Sequence, residues 1–113
     1  AELYKEKGMN SEAIVHYKKA AEIDPKNWDV YFNLGLLYAK QGLSKEAAEY
    51  YEKAVKYNPN FAEAHYHLGL LYLDFGRFND AAKLFQRIMY LDPTNMLAKK
   101  MYEVALKSAE QGK

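Results

Sequence analysis

The 113-residue sequence contains no cysteine. Disulfides, thiolate zinc sites, iron–sulfur clusters and a cysteine nucleophile are therefore excluded. Proline and glycine are scarce, at 3 and 6 residues. No apolar run approaches the roughly 18–20 residues that a membrane-spanning helix needs. The opening segment, Ala1–Gly8, is polar and helical in character rather than a secretory signal. Excess charge is missing as well: 16 Lys and Arg face 15 Asp and Glu, for a net charge of +1. So even a balance supports neither a nucleic-acid partner nor a polybasic membrane surface. With half its residues hydrophobic and 27% charged, the chain has an ordinary globular composition and no sign of disorder.

Tyrosine, by contrast, is abundant, with 11 residues, and the positions of the scarce residues are regular. Pro25, Pro59 and Pro93 are spaced by 34 residues. Gly8, Gly42 and Gly76 keep the same spacing, as do Ala13, Ala47 and Ala81, and Tyr4, Tyr38 and Tyr72. The segment Leu34-Gly35-Leu36-Leu37-Tyr38 recurs unchanged as Leu68-Gly69-Leu70-Leu71-Tyr72. A period of this length marks stacked supersecondary units, each too small to close its own core.

Each unit reads as two helices. From Trp28 to Gln41, Val30, Tyr31, Leu34, Leu37 and Tyr38 fall at helical spacing. Gly42 then ends the helix in the left-handed conformation open to glycine. Ser44 is the expected N-cap of the next helix, as Asn10 or Ser11 and Asn79 are in the other units. Ala47, Tyr50, Tyr51, Ala54, Val55 and Tyr57 supply its apolar stripe, and Pro59 closes the unit. Gly35 and Gly69, with Ala47 and Ala81, mark the place where the paired helices cross closely. Tyr38, Tyr51, Tyr72 and Phe85 fill the gaps beside that crossing, so most tyrosines read as core residues with hydroxyls at the rim.

The run Leu-Gly, Tyr, Gly, Ala, Tyr or Phe, Ala and Pro over 34 residues resembles the tetratricopeptide repeat across nearly the whole chain. Pentatricopeptide repeats, at 35 residues and without this Gly/Ala/Pro framework, fit poorly. The resemblance implies an all-α, right-handed superhelical solenoid of antiparallel helix pairs. It divides the chain into an N-terminally truncated repeat (1–25), full repeats at 28–61 and 62–95, and a C-terminal capping helix (96–111). Ala1 then stands at the helix crossing of the first repeat, whose opening helix ends at Gly8, and seven helices are expected. The cap is expected because Lys99 stands where Tyr31 and His65 stood, and Glu103 where Gly35 and Gly69 stood. Charge at those positions opposes packing of a further helix, as a terminal unit requires.

No catalytic constellation emerges. His65 and His67 lie two residues apart, about 200° around a helix, so they do not face one metal. His65 replaces Tyr31 of the preceding unit and reads as a packing residue. There is no G-x-S-x-G elbow, no phosphate-binding loop and no dinucleotide fingerprint. No cofactor, metal or enzymatic activity is expected.

In such a solenoid the first helix of each pair lines the concave side. The residues there that the repeat framework does not use are the candidate site. In the second repeat these are Phe32, Asn33, Leu36 and Lys40. In the third they are Tyr66, His67, Leu70, Leu73 and Asp74, and in the cap Leu97, Met101 and Val104. The apolar members exceed what folding needs, and exposed apolar patches of this kind mark interaction sites. Asn33, Lys40, His67 and Asp74 are suited to bond a partner backbone. The expected partner is therefore a peptide or amphipathic helix of another protein.

The resemblance also excludes one partner class. Relatives that bind acidic chaperone tails use a clamp of Lys, Asn, Asn, Lys and Arg. Here Asn33 matches one member, Glu63 and His67 stand in place of Lys and Arg, and Glu2 replaces an Asn. Two other expectations compete with partner binding. One is self-association through the N-terminal end, where Ile14, Tyr17 and Ala21 lack a full cover. The other is a regulatory segment of a larger enzyme. A cytoplasmic setting is the default expectation.

Overall fold

The computed structural model describes the backbone of residues 2–111 and the side chains of residues 11–111. Among these residues the regular structure is helical throughout: α1 (Glu2–Ile23), α2 (Trp28–Lys40), α3 (Ser44–Tyr57), α4 (Ala62–Asp74), α5 (Phe78–Leu91) and α6 (Met96–Gln111). The helices group into two compact units, Ala1–Pro59 and Asn60–Lys113.

The helix count corrects the expected seven to six among the described residues. Instead of turning at Gly8, α1 runs unbroken through it, so neither Asn10 nor Ser11 opens a helix. Glycine inside a helix costs only about 1 kcal/mol relative to alanine. Continuing α1 keeps the backbone around Gly8 hydrogen-bonded at that small cost. The side-chain roles assigned to Ala1, Glu2 and Tyr4 fall outside the described side chains.

In the first unit α2 packs against both α1 and α3. The α2–α3 turn takes three residues. Gly42 has φ +78°, the Gly42 N–H donates to the Ala39 carbonyl at 3.0 Å, and the Leu43 N–H donates to the Tyr38 carbonyl at 3.0 Å. This pair of bonds is a Schellman motif, which satisfies the last carbonyls of α2. Leu43 then serves at once as N-cap of α3, without a side-chain hydrogen bond. The expected cap, Ser44, is already helical, because so short a turn leaves no residue between the two motifs. On the other side of the hairpin Gly35 faces the ring of Tyr51, and Leu34, Ala47 and Ala54 are sealed. Tyr51 therefore covers the glycine directly instead of filling a gap beside it.

The second unit repeats the design. Gly76 has φ +79°, the Gly76 N–H donates to the Leu73 carbonyl at 3.1 Å and the Arg77 N–H donates to the Tyr72 carbonyl at 2.8 Å. Arg77 takes the N-cap position of α5 in place of the expected Asn79. Its Nε donates to Asp80 Oδ2 at 3.0 Å, and its guanidinium lies 4.1 Å from the centre of the Tyr72 ring. Gly69 faces Phe85, and Leu68, Ala81 and Ile88 are buried around them. α5 also packs on α6, which buries only Ala98 and Ala105. Lys99 and Glu103 point to solvent.

Side-chain caps occur instead at α2 and α6. Asn27 Oδ1 accepts from the Val30 N–H at 3.3 Å, and Asn95 Oδ1 accepts from the Ala98 N–H at 3.0 Å.

Candidate functional site

Between the start of α4 and the start of α6, the second unit holds an open cleft of about 260 Å³. It is lined by Ala62, Glu63, Tyr66 and His67 of α4, by Ile88 of α5, and by Asn95 and Leu97 at the start of α6. Helical spacing brings Glu63, Tyr66 and His67 onto one face of α4, as residues three and four apart must be. The Tyr66 ring is anchored edge-on to Phe85, with centroids 6.1 Å apart. Leu97 remains 51% exposed, an apolar side chain held at the lip by the Asn95 cap just behind it.

The cleft is weakly charged. Burial pushes the His67 imidazole below its ordinary value, opposed in part by the Glu63 carboxylate. His67 is therefore neutral at neutral pH, and Glu63 brings the one charge to the lining. His65, on the opposite side of α4, has no part in the cleft. It is buried, its Nδ1–H donates to the Phe61 carbonyl at 2.7 Å, and burial lowers its pKa. Because a carbonyl only accepts, the proton sits on Nδ1. His65 is thus the packing residue its register implied. Among the described residues no group of three or more His, Asp or Glu is gathered as a metal site.

Of the residues singled out in the sequence, Tyr66, His67 and Leu97 come together in this cleft. Leu70, Leu73 and Met101 are half-buried farther along their helices, and Asp74 and Val104 are exposed. In the first unit Leu36 and Asn33 are half-buried and Lys40 is exposed. Asn33 turns back on its own helix, its Nδ2 donating to the Asp29 carbonyl at 3.0 Å. Phe32 is only 7% exposed, with its ring 5.8 Å from that of Tyr51. The expectation that the framework leaves Phe32 unused is corrected, since Tyr51 reaches across Gly35 to meet it. The α1 face expected to be uncovered is likewise partly closed. Ile14 is buried, and Tyr17 and Ala21 are half-buried, while Val15 and Ile23 on the same helix are exposed.

Ala62, Ile88 and Asn95 were missed as lining residues. A signal for the first was present: Ala62 stands 34 residues after Trp28, so one turn of the repeat loses an indole. Also missed was a stack of tyrosines in the first unit. Tyr38 and Tyr50 lie parallel at 5.4 Å and 7°. Tyr50 stacks in turn near Tyr31 at 6.3 Å, and Tyr31 near Tyr57 at 5.9 Å. The Tyr31 hydroxyl donates to the Pro25 carbonyl at 2.7 Å. Lys53 Nζ sits 5.4 Å and 5.5 Å from the Tyr31 and Tyr50 ring centres, and a hydrogen bond with Tyr38 raises the pKa of Lys18. These contacts make the tyrosines structural.

Helix hairpins closed by a left-handed glycine and pinned by a small residue under an aromatic ring define an all-α helical-repeat protein. Residues 1–42 match a TPR repeat model, and residues 40–95 match a tetratricopeptide repeat model. The chain belongs to the tetratricopeptide-repeat family. Its fold is similar to that of the MamA protein, with a TM-score of 0.80 and 23% identity over 96% of this chain and 60% of that one. It is equally similar to the first TPR of Spaghetti (RPAP3) bound to the HSP90 peptide SRMEEVD, at a TM-score of 0.80 and 23% identity, covering 96% and 86% of the two chains. TTC0263, a thermophilic TPR protein of Thermus thermophilus, aligns with a TM-score of 0.72 and 25% identity over 88% of this chain and 51% of its own. This chain therefore spans 60% of the MamA structure it resembles. A comparison with curated proteins finds no match. Among the described residues no helix is long and apolar enough to cross a membrane.

Proposed function

We propose that this chain is a non-catalytic interaction module that docks a segment of a partner protein, with the second unit's cleft as a principal contact. The observation that carries this reading is the cleft of about 260 Å³ with an exposed leucine at its lip and a neutral, half-buried His67 in its wall. Apolar clefts with a few polar groups at the edge suit an anchor side chain from a peptide or amphipathic helix. A structural neighbour that was solved with a peptide bound supports the same general use of the fold. Leu70 and Val104, on the two helices that wall the cleft, extend the apolar surface available to such a segment.

Leu97→Glu and Leu70→Glu test the proposal. With the chain as bait, both variants should lose captured partner while helical circular dichroism and melting stay unchanged. Unfolding of Leu70→Glu together with normal capture by Leu97→Glu would defeat it.

A second reading is self-association through α1. It is favoured by Val15 at 52% and Ile23 at 86% exposure, both on that helix. Light scattering separates the two readings, because a strict monomer at high concentration removes the second and leaves the first intact.

A further inference from the structure

Trp28 opens α2 and Ala62 opens α4, at the same place in successive repeats. The indole of the first unit is thus replaced by a methyl group in the second, and Ala62 lines the cleft. The space is far larger than the roughly 30 Å³ that one water occupies. Tyr66 and His67 line it together with Ile88 and Leu97. Aromatic pairs gain attraction beyond the apolar area they bury, so such walls prefer a ring to an aliphatic chain. The charge also has one sign. Glu63 is exposed at the rim, His67 is neutral, and no lysine or arginine lines the cleft.

We infer that the cleft takes an aromatic side chain of indole size from a partner segment that carries a lysine or arginine beside it. The inference deepens the docking role proposed above and rests on it. The ring occupies the space over Ala62, and the neighbouring cation faces the Glu63 carboxylate. This chain's own indole cannot serve a second copy, since its single tryptophan is Trp28, half-buried at the start of α2. The nearest match on the chain itself is Tyr90, 77% exposed with the Arg87 guanidinium 5.5 Å from its ring centre.

Three blocked dipeptides test the inference by ¹H–¹⁵N titration of the whole chain: acetyl-Trp-Lys-amide, acetyl-Trp-Glu-amide and acetyl-Leu-Lys-amide. The first should shift the amides of Glu63, Tyr66, His67 and Leu97, and the other two should bind several-fold more weakly. Glu63→Gln should bring the Trp-Lys and Trp-Glu probes to equal affinity. Ala62→Trp should abolish the response to all three by filling the cleft from within. If that variant does not fold, the wild-type and Glu63→Gln titrations decide alone. Equal shifts from all three probes would leave the docking surface standing and overturn the aromatic–cation preference. Shifts from none would overturn the preference and the docking role together. A concentration-dependent mass in light scattering that Tyr90→Ser removes would assign the cleft to a second copy and overturn the partner proposal.

Discussion

A Cβ atom on Gly35 would lie 2.5 Å from Cε1 of Tyr51, well inside contact distance. The same relation recurs one repeat later, where a Cβ on Gly69 would lie 2.7 Å from Cζ of Phe85. Both rings are fully buried, at 1% and 0% exposure, so neither can swing aside into solvent. Gly35→Ala and Gly69→Ala should each destabilise the chain despite alanine's higher helix propensity. Overpacking costs roughly 1–3 kcal/mol and the propensity gain returns about 1 kcal/mol. Urea denaturation measures the difference. Pairing Gly69→Ala with Phe85→Leu should recover part of the loss in a double-mutant cycle, and strict additivity would refute the contact.

Gly42 and Gly76 are needed for a different reason. No atom lies within 4 Å of a Cβ at either site, but φ is +78° and +79°. Gly42→Ala should therefore cost about 1–2 kcal/mol through backbone strain alone. Gly42→Asn should cost less, because asparagine tolerates the left-handed region. Equal midpoints for the two variants in urea would argue against strain as the cause.

Acid should weaken the fold through its histidines. Burial lowers the pKa of both His65 and His67 from 6.5. As pH falls, the unfolded chain takes up these protons before the folded one does. Their contribution to stability is thus complete above the unfolded value and is lost as pH drops through 6.5 toward the depressed folded values. The urea midpoint should fall between about pH 7.5 and pH 5, above the range where carboxylates dominate. His65→Tyr, which copies Tyr31 of the preceding repeat, should flatten that decline. An unchanged slope would place its cause elsewhere.

The peptide SRMEEVD should give no heat of binding in calorimetry. Likeness to a protein solved with that peptide is at 23% identity and concerns the fold. The side chains differ. Exposed Glu63 and neutral His67 stand where a carboxylate tail needs cations, and Asn33 spends its amide on the Asp29 carbonyl. A micromolar isotherm would overturn this expectation.

Much of the fold was legible before any coordinates. The spacing of Pro25, Pro59 and Pro93, the turn glycines Gly42 and Gly76 and the small residues at the helix crossings each state a local or nearest-neighbour requirement, and such requirements survive in a one-dimensional record. Three features were not legible. Ser44 and Asn79 looked like caps because capping preference is local, yet the Schellman turn had already placed Leu43 and Arg77 there. The turn expected at Gly8 rested on the glycine alone, and α1 carries that glycine in its interior at a cost of only about 1 kcal/mol. For the site, helical periodicity put Tyr66 and His67 on an outward face. It could not report that Ile88 and Asn95, from two other stretches of chain, would complete a cleft with them.

Sequence alone determined that this protein is a repeat of helix hairpins, that two of them turn at Gly42 and Gly76, and which residues must be small. Those are consequences of backbone sterics and of contacts between neighbouring segments. Only the tertiary structure decided that Phe32 is sealed beneath Tyr51 while Leu97 stays open beside Ala62. Exposure is set by what packs against a side chain from elsewhere in the chain, and residue type and spacing do not specify that.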